Sequence, residues 1–211
     1  FYDENTALRM LSEADIPLID DNINAMLFGC ISLISEPCGS VYEALMTREA
    51  KNRVMFLDPN IRSGFITDRE KHLARMKRMI ALSDIVKLSD EDLDWFGEKG
   101  SHDEIASRWL EHGPKLIVIT KGPHGADAYT ANATVRVPGV KVDVVDTVGA
   151  GDTVNAGILA SLNDQGLLNK QAIAKLDEDQ IHAAVALGVR AAAVTVSRAG
   201  ANPPWAAEMR D

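Results

Sequence analysis

Residues Asp146 to Gly157 read DTVGAGDTVNAG, which joins a Gly-Ala-Gly run directly to an aspartate. Small residues at the start of a helix let a ligand approach the backbone closely. The unpaired N–H groups of a first helical turn, together with the helix dipole, attract anions. The segment therefore predicts an anion site that needs no basic side chain.

Asp152 lies in the first turn of this expected helix. An acidic residue there ordinarily compensates the helix dipole, which is the simplest explanation. That explanation leaves open why a carboxylate would share a phosphate-sized site. A carboxylate beside a phosphoryl group can accept the proton of an attacking hydroxyl, which leaves late in the loose transition state of phosphoryl transfer. Asp152 is therefore the candidate general base.

Two other phosphate-binding motifs fit the chain less well. A dinucleotide-binding fingerprint requires a third glycine at the position of Val154, and it opens a βαβ unit. A Walker loop requires Gly-Lys followed by Ser or Thr, and the chain contains no such sequence.

The segments upstream alternate between strand-like and helical patterns, which is typical of a parallel sheet with crossover helices. We expect strands at 25–34, 53–59, 84–88 and 115–120, and helices at 42–52, 69–82, 90–98 and 102–112.

The pattern changes after residue 125, where three β-rich runs follow one another with short turns at 127–130, 134–138 and 140–145. They predict a small antiparallel meander on the edge of the sheet. Two helices follow, one from near Gly149 to about residue 163 and an alanine-rich one at 178–197. The chain therefore reads as one continuous α/β domain, or most of one.

Three polar segments follow expected strands: DPNIR at 58–62, KLSDED at 87–92 and TKGPHG at 120–125. Ligands of open α/β sheets bind outside the carboxyl ends of the strands. We therefore expect these segments to lie near the Asp152 motif.

The 211 residues are 46% apolar and 25% charged, as in an ordinary globular protein. The net charge of −9 argues against binding to nucleic acids or anionic membranes. No apolar run is long enough to cross a bilayer. Cys30 and Cys38 form no disulfide framework, so we expect a reducing cytoplasm and a core-packing role for both.

The fourteen residues DTVGAGDTVNAGIL resemble the C-terminal signature of the PfkB, or ribokinase-like, family of carbohydrate kinases. The segments FYDENTA, EPCGS, LDPNIRSGFI, DIVKLSDEDL and VSRAGANPPW extend the resemblance over nearly the whole chain, and they look most like bacterial fructokinases. The opening FYDENT looks like part of an ordered strand. Val154 departs from the phenylalanine usual in the family, which should alter packing more than chemistry.

The resemblance implies a ribokinase-like α/β fold, with a mostly parallel central sheet flanked by helices and a small antiparallel edge. It implies ATP-dependent phosphorylation of a sugar hydroxyl, most closely that of fructose. Alternatives are another acceptor, such as 2-keto-3-deoxygluconate or ribose, or a non-catalytic nucleotide- or sugar-binding sensor. Residues 1–211 would be the C-terminal two-thirds of one kinase domain, without its N-terminal strands and lid. The expected ligands are a small sugar, ATP, Mg²⁺ and, in some members, K⁺, and a homodimer is compatible with the family.

The resemblance also assigns roles to individual residues. Asp152 would be the catalytic base, and the amides of Gly149, Ala150, Gly151 and Asp152 would stabilise the transferring phosphoryl group. Asn60 and Arg62 would contact substrate or phosphate, although a Pro-containing turn after a strand explains DPNIR equally simply. The loop residues that would contact the nucleotide phosphates are Thr120, Gly122 and Gly125, and the simpler explanation is a glycine-rich turn.

Two cation sites follow from the resemblance. Ser89 and Asp92 stand where related kinases carry an N-x-x-E motif that organises Mg²⁺, so Ser89 would lie by the nucleotide and Asp92 by the metal. Ordinary helix capping is the competing explanation for both. The expected K⁺ ligands, supplied mainly by backbone carbonyls, are Asp146, Val148, Thr195, Arg198 and Gly200.

Overall fold

The computed structural model describes residues 6–209. The first five residues of the FYDENTA segment, and with them the strand-like opening, lie outside the described residues.

The described residues form one sheet in the order β1-β2-β3-β4-β5-β6. Strands β1 to β4 pair in parallel, whereas β4, β5 and β6 pair antiparallel. This confirms the predicted α/β class, with a mostly parallel sheet and an antiparallel edge. The strands are β1 (Ala25–Gly29), β2 (Val54–Asp58), β3 (Ile85–Ser89), β4 (Leu116–Thr120), β5 (Ala126–Tyr129) and β6 (Thr134–Val137).

Helices cover both faces of this sheet. They are α1 (Ala7–Met10), α2 (Cys38–Glu49), α3 (Arg69–Leu82), α4 (Asp90–Phe96), α5 (His102–Leu110), α6 (Ala150–Asp164), α7 (Lys170–Ile173) and α8 (Glu178–Val196). Short 3₁₀ turns occur at Glu13–Asp15, Cys30–Leu33, Ser63–Phe65, Gly122–His124 and Ala206–Met209. No helix among residues 6–209 is both long and apolar enough to cross a membrane.

The first expected strand, 25–34, is only half correct. Strand β1 ends at Gly29, and Cys30–Leu33 form a 3₁₀ turn. Cys30 has a φ of +63°, a left-handed conformation that ends the extended backbone. The apolar run continues past this point because Leu33 packs into the core, where it is fully buried.

The third strand expected in the meander, 140–145, is absent, and the meander has two strands, β5 and β6. The alternating valines of this run do not pack in a sheet, and Val144 and Val145 are exposed. The N–H groups of Val145 and Asp146 both donate to the carbonyl of Val196, at 2.8 and 3.2 Å. The segment is therefore tied to the end of α8 instead of to a strand.

Two hydrophobic clusters lie on opposite faces of the sheet. One includes Phe28, Leu57, Leu88 and Trp109 and packs under α2, α3 and α5. The other packs under α6 and α8. These two helices cross very closely. A Cβ added to Gly157 would lie only 2.7 Å from the backbone nitrogen of Gly188.

Arg75 of α3 organises a buried charged network, which we call the Arg75 cluster. Its guanidinium donates to the carbonyl of Leu33 at 2.9 Å, to Ser40 Oγ at 2.9 Å and to the carboxylates of Glu36 and Glu43. Burial raises the pKa of Glu36, but hydrogen bonds from Arg75, Ser40 and Lys71 outweigh it and lower that pKa to about 2. The cluster joins α3 to α2 and to the turn before it.

Candidate active site

The first turn of α6 begins where the sequence predicts. Gly149 is its N-cap and has a φ of +79°, a left-handed conformation that glycine adopts without strain. The carbonyl of Gly149 accepts two hydrogen bonds from Thr153, from its backbone N–H at 2.9 Å and its hydroxyl at 2.8 Å. The turn is thereby fixed from within.

The N–H groups of this turn are only partly used. The N–H of Ala150 donates to the carbonyl of Thr147 at 3.3 Å. Within residues 6–209, the N–H groups of Gly151 and Asp152 have no hydrogen-bond acceptor. Two adjacent free donors at the positive end of a fifteen-residue helix form a site for an anion.

One cavity lies on the Asp152 side of this turn and has a volume of about 350 Å³; we call it the Asp152 cavity. It contains the predicted Asp152 and Asn60, and β1 contributes more of its other walls than any other element. Its lining includes Phe28, Cys30, Asp58, Asn60, Asp152 and Asn155.

A second cavity, of about 470 Å³, lies on the other side of the turn; we call it the Gly151 cavity. It is mainly apolar, with valines from the 140–144 segment and from α8. The predicted nucleotide-loop residues all line it, together with the start of α6: Thr120, Gly122, Gly125, Ala150, Gly151 and Val154. The structure therefore brings the predicted base, the predicted nucleotide-loop residues and Asn60 together around one helical turn.

A basic side chain lies beside this anion site, although the motif by itself requires none. Lys87, in the middle of β3, is 4% exposed, and its ammonium binds Asp58 Oδ2 at 3.0 Å. Asn155 Nδ2 donates to the same oxygen at 2.7 Å. A Cβ added to Gly151 would lie 3.0 Å from Lys87 Nζ, so the ammonium lies directly against the first turn of α6. Lys87, Asp58 and Asn155 form what we call the Lys87 cluster.

The sequence carried a signal for this cluster that motif analysis missed. Lys87 interrupts the apolar run DIVKL of a strand buried on both faces, and a lysine is rarely buried without a partner. Asn155 lies three residues after Asp152, hence on a neighbouring face of the helix. Cys30 was expected in the core, but it is only partly buried and lines the Asp152 cavity, whereas Cys38 is buried as expected.

Ser89 and Asp92 form a capping box at the start of α4. Ser89 Oγ accepts from the N–H of Asp92 at 3.1 Å, and Asp92 Oδ2 accepts from the N–H of Ser89 at 2.8 Å. Asp92 Oδ1 accepts from the N–H of Ile61 at 2.8 Å. Asp92 is thus engaged in holding the DPNIR loop to α4, and Mg²⁺ binding by it stays a prediction.

The side chains of residues 6–209 do not build a metal cage of their own. No group of three or more His, Cys, Asp and Glu side chains among them converges on one point. Mg²⁺ commonly keeps several waters and takes only one or two carboxylates plus substrate phosphates. The described residues fit a Mg²⁺ site in which the protein supplies one or two carboxylates and the other ligands are water and phosphate.

The segments with the expected K⁺ ligands lie side by side. Asp146 accepts from the N–H groups of Val148 at 3.0 Å and Gly200 at 2.9 Å, and these bonds lower its pKa. The carbonyl of Thr195 accepts from the N–H of Arg198 at 3.1 Å. K⁺ binding by these residues stays a prediction.

Arg62 is a predicted substrate contact that lies outside both cavities. Its side chain is exposed and donates to carbonyls of its own loop, those of Ile61 at 3.0 Å and Asn60 at 3.4 Å. It lines neither the Asp152 cavity nor the Gly151 cavity. Its contact with substrate stays a prediction.

The chain is similar in sequence to a fructokinase of Rhizobium leguminosarum bv. trifolii, with 60% identity over 181 residues. That alignment covers 86% of this chain and 56% of the Rhizobium protein. The chain therefore spans somewhat more than half the length of that relative.

Solved structures give the same fold. A fructokinase of Vibrio cholerae O395, bound to fructose, ADP and calcium, superposes with a TM-score of 0.77 at 26% identity, covering 90% of this chain and 60% of that one. A double mutant of that enzyme with fructose, ADP and potassium gives 0.78 at 26% identity, with 90% and 59% coverage. The family model for pfkB family carbohydrate kinases matches residues 2–208. The chain therefore belongs to the pfkB family of carbohydrate kinases.

Proposed function

We propose that this chain carries the phosphoryl-transfer site of an ATP-dependent fructokinase. The observation that carries the proposal is the position of the first turn of α6 between two cavities, with Asp152 facing one and Gly151 facing the other. An in-line transfer needs the acceptor and the donor on opposite sides of the moving phosphoryl group.

The Asp152 cavity is the proposed acceptor site. A sugar hydroxyl placed there donates its proton to the Asp152 carboxylate as its oxygen bonds to phosphorus. The cavity is large enough for a small sugar, and Asn60 lies on its wall as a further polar contact. Asp152 is exposed and lines this cavity, and its side chain has no hydrogen-bond partner among residues 6–209.

The Gly151 cavity is the proposed nucleotide site. Its apolar walls suit a purine ring, and its glycines allow the phosphates to approach the backbone. The free N–H groups of Gly151 and Asp152 stabilise the charge on the transferring phosphoryl group. The ADP bound by the Vibrio enzyme supports a nucleotide as the second ligand.

Mg²⁺ would arrive with the nucleotide and neutralise phosphate charge, with Asp92 as its predicted protein contact. The potassium in the Vibrio double mutant supports K⁺ as a further ligand near Asp146. Fructose is the proposed acceptor because the Rhizobium relative is a fructokinase and the Vibrio enzyme holds fructose. The free thiols of Cys30 and Cys38 support the cytoplasm as the compartment.

The test is a coupled assay of ADP release by the complete gene product, with fructose, ribose and 2-keto-3-deoxygluconate as acceptors. We expect turnover with fructose, and we expect Asp152→Asn to lower it by roughly 10²–10⁴-fold with a modest loss of ATP binding, because the variant lacks a proton acceptor.

Asp164→Asn, at the opposite end of α6, is the matched control and should keep full turnover, since Asp164 is exposed and far from both cavities. Binding of ATP and sugar without turnover would support the sensor function instead. Full activity of Asp152→Asn would remove Asp152 as the base.

A further inference from the structure

The Lys87 cluster lies beneath the turn that separates the two cavities. Asp58 and Asn155 line the Asp152 cavity, whereas Gly151, against which the Lys87 ammonium lies, lines the Gly151 cavity. A phosphoryl group that passes from one cavity to the other at this turn must pass close to Lys87 Nζ.

The hydrogen bonding of the cluster is incomplete. Lys87 and Asn155 both donate to Asp58 Oδ2, while Asp58 Oδ1 and Asn155 Oδ1 are buried without a donor. A buried polar atom without a partner destabilises the folded protein, and a buried ion pair is weak evidence for stability by itself. A cluster that served only to hold α6 on the sheet would be expected to satisfy these atoms.

The position of the charge gives the cluster a different use. The free N–H groups of Gly151 and Asp152 already favour an anion at this turn, and a fixed positive charge in a site of low dielectric strengthens that preference. Negative charge is spread over the equatorial oxygens of a phosphoryl group during transfer. Asp58 balances the ammonium when no phosphoryl group is present.

We infer that Lys87, held in place by Asp58 and Asn155, supplies a buried positive charge that stabilises the phosphoryl group as it crosses the first turn of α6. Gly151 then has a second role besides backbone access, since a Cβ there would push the ammonium aside by a few tenths of an ångström. The inference rests on the proposed kinase function and extends it.

The experiment compares Lys87→Met with Lys170→Met in the complete gene product. Lys170 also pairs with a buried carboxylate, that of Asp84 at 2.6 Å, but neither residue lines the Asp152 or the Gly151 cavity. Both variants should be less stable, because each leaves a buried carboxylate without its cation. Only Lys87→Met should lose turnover, by about 10²-fold, with KM values for sugar and ATP within about threefold of the parent.

The double variant Asp58→Asn, Lys87→Met separates charge from folding. Removing both partners of a buried pair restores much of the stability that one removal costs. We expect stability to recover while turnover stays at least about tenfold below that of Asp58→Asn alone. A turnover difference of less than about tenfold between these two variants, or a change in KM without a change in turnover, overturns the inference.

A third variant covers the case in which neither Lys87 variant folds. Gly151→Ala keeps every charge and displaces only the ammonium, so unchanged turnover in it would also overturn the inference. A wild-type protein that phosphorylates no sugar would instead refute the proposed function, so the two failures are distinct.

Discussion

The Arg75 cluster and the Lys87 cluster both bury a cation among acidic and polar partners, yet they are built differently. Arg75 makes hydrogen bonds through all three of its nitrogens, to two carboxylates, a hydroxyl and a carbonyl. The Lys87 cluster concentrates its bonds on one oxygen of Asp58 and leaves two acceptor oxygens without donors.

The difference in hydrogen bonding follows the position of each cluster relative to the candidate site. The well-bonded cluster joins α2 and α3 and lines neither the Asp152 nor the Gly151 cavity. The incompletely bonded cluster adjoins both of them. Buried polar atoms without partners cost stability, so they persist most readily where a ligand makes use of them.

The largest effect should come from the well-bonded cluster. Arg75→Met leaves Glu36 and Glu43 without their buried cation, and we expect a loss of roughly 3–5 kcal/mol in the free energy of unfolding, measured with urea. Turnover of the folded fraction at low temperature should stay near that of the parent.

Arg78→Met is the control, because Arg78 binds the same Glu43 from a side chain that is 58% exposed. We expect it to cost less than about 1 kcal/mol. Equal losses in the two variants would contradict the structural role given to Arg75.

The next effect concerns His72, which is buried beside Arg75. Burial and the nearby Arg75 charge lower the pKa of His72 from 6.5 to about 4. The unfolded chain binds this proton below pH 6.5 and the folded one only near pH 4, so stability should fall as the pH drops between these values, by up to about 3 kcal/mol.

His72→Phe should remove most of that dependence in urea titrations at several pH values, whereas His182→Phe, at an exposed position on α8, should keep it. A pH profile that is the same in both variants would show that other groups cause the slope.

The smallest effect comes from two glycines that each lie against one of the buried cations. A Cβ at Gly39 would lie 2.6 Å from the carbonyl oxygen of Leu33 and closer still to Arg75 Nη1, whereas a Cβ at Gly151 would lie 3.0 Å from the end of the Lys87 side chain. Gly39→Ala should cost roughly 1–3 kcal/mol, because the fully bonded guanidinium cannot move aside.

Gly151→Ala should change stability by less than about 1 kcal/mol, because alanine favours the helix and the end of the Lys87 side chain needs to shift only slightly. Its turnover should nevertheless fall about tenfold, as measured by initial rates. The comparison between the clusters fails if Gly39→Ala impairs turnover in the folded protein and Gly151→Ala does not.

The fold was predictable wherever a local pattern agreed with the packing. Strands β2, β3 and β4 are mostly apolar runs buried on both faces, with Lys87 as the exception within β3, and such runs are typical of the central strands of a parallel sheet. The run 140–145 alternates like a strand but is tied to the carbonyl of Val196 on α8, a contact that no local pattern indicates. The left-handed backbone at Cys30 is likewise set by the surrounding structure.

The candidate site was predictable to the extent that one segment encodes it. Gly149 to Asp152 form a contiguous motif, and its helix starts where the motif indicates. The Lys87 cluster joins residues from β2, β3 and α6, and Asn155 lies 97 positions from Asp58. Charge pairing across such distances appears only after the strands have been brought side by side.

The crossing of α6 and α8 at Gly157 and Gly188 has a consequence for motion. With backbone against backbone at that point, there is no side-chain layer that could absorb a sliding or tilting of one helix on the other. We therefore expect α6 to keep its position against α8, so that, under the proposed function, the free amides and Asp152 need little reorganisation for phosphoryl transfer. Under the proposed function, this helix pair would be the fixed part of the site on which both ligands bind.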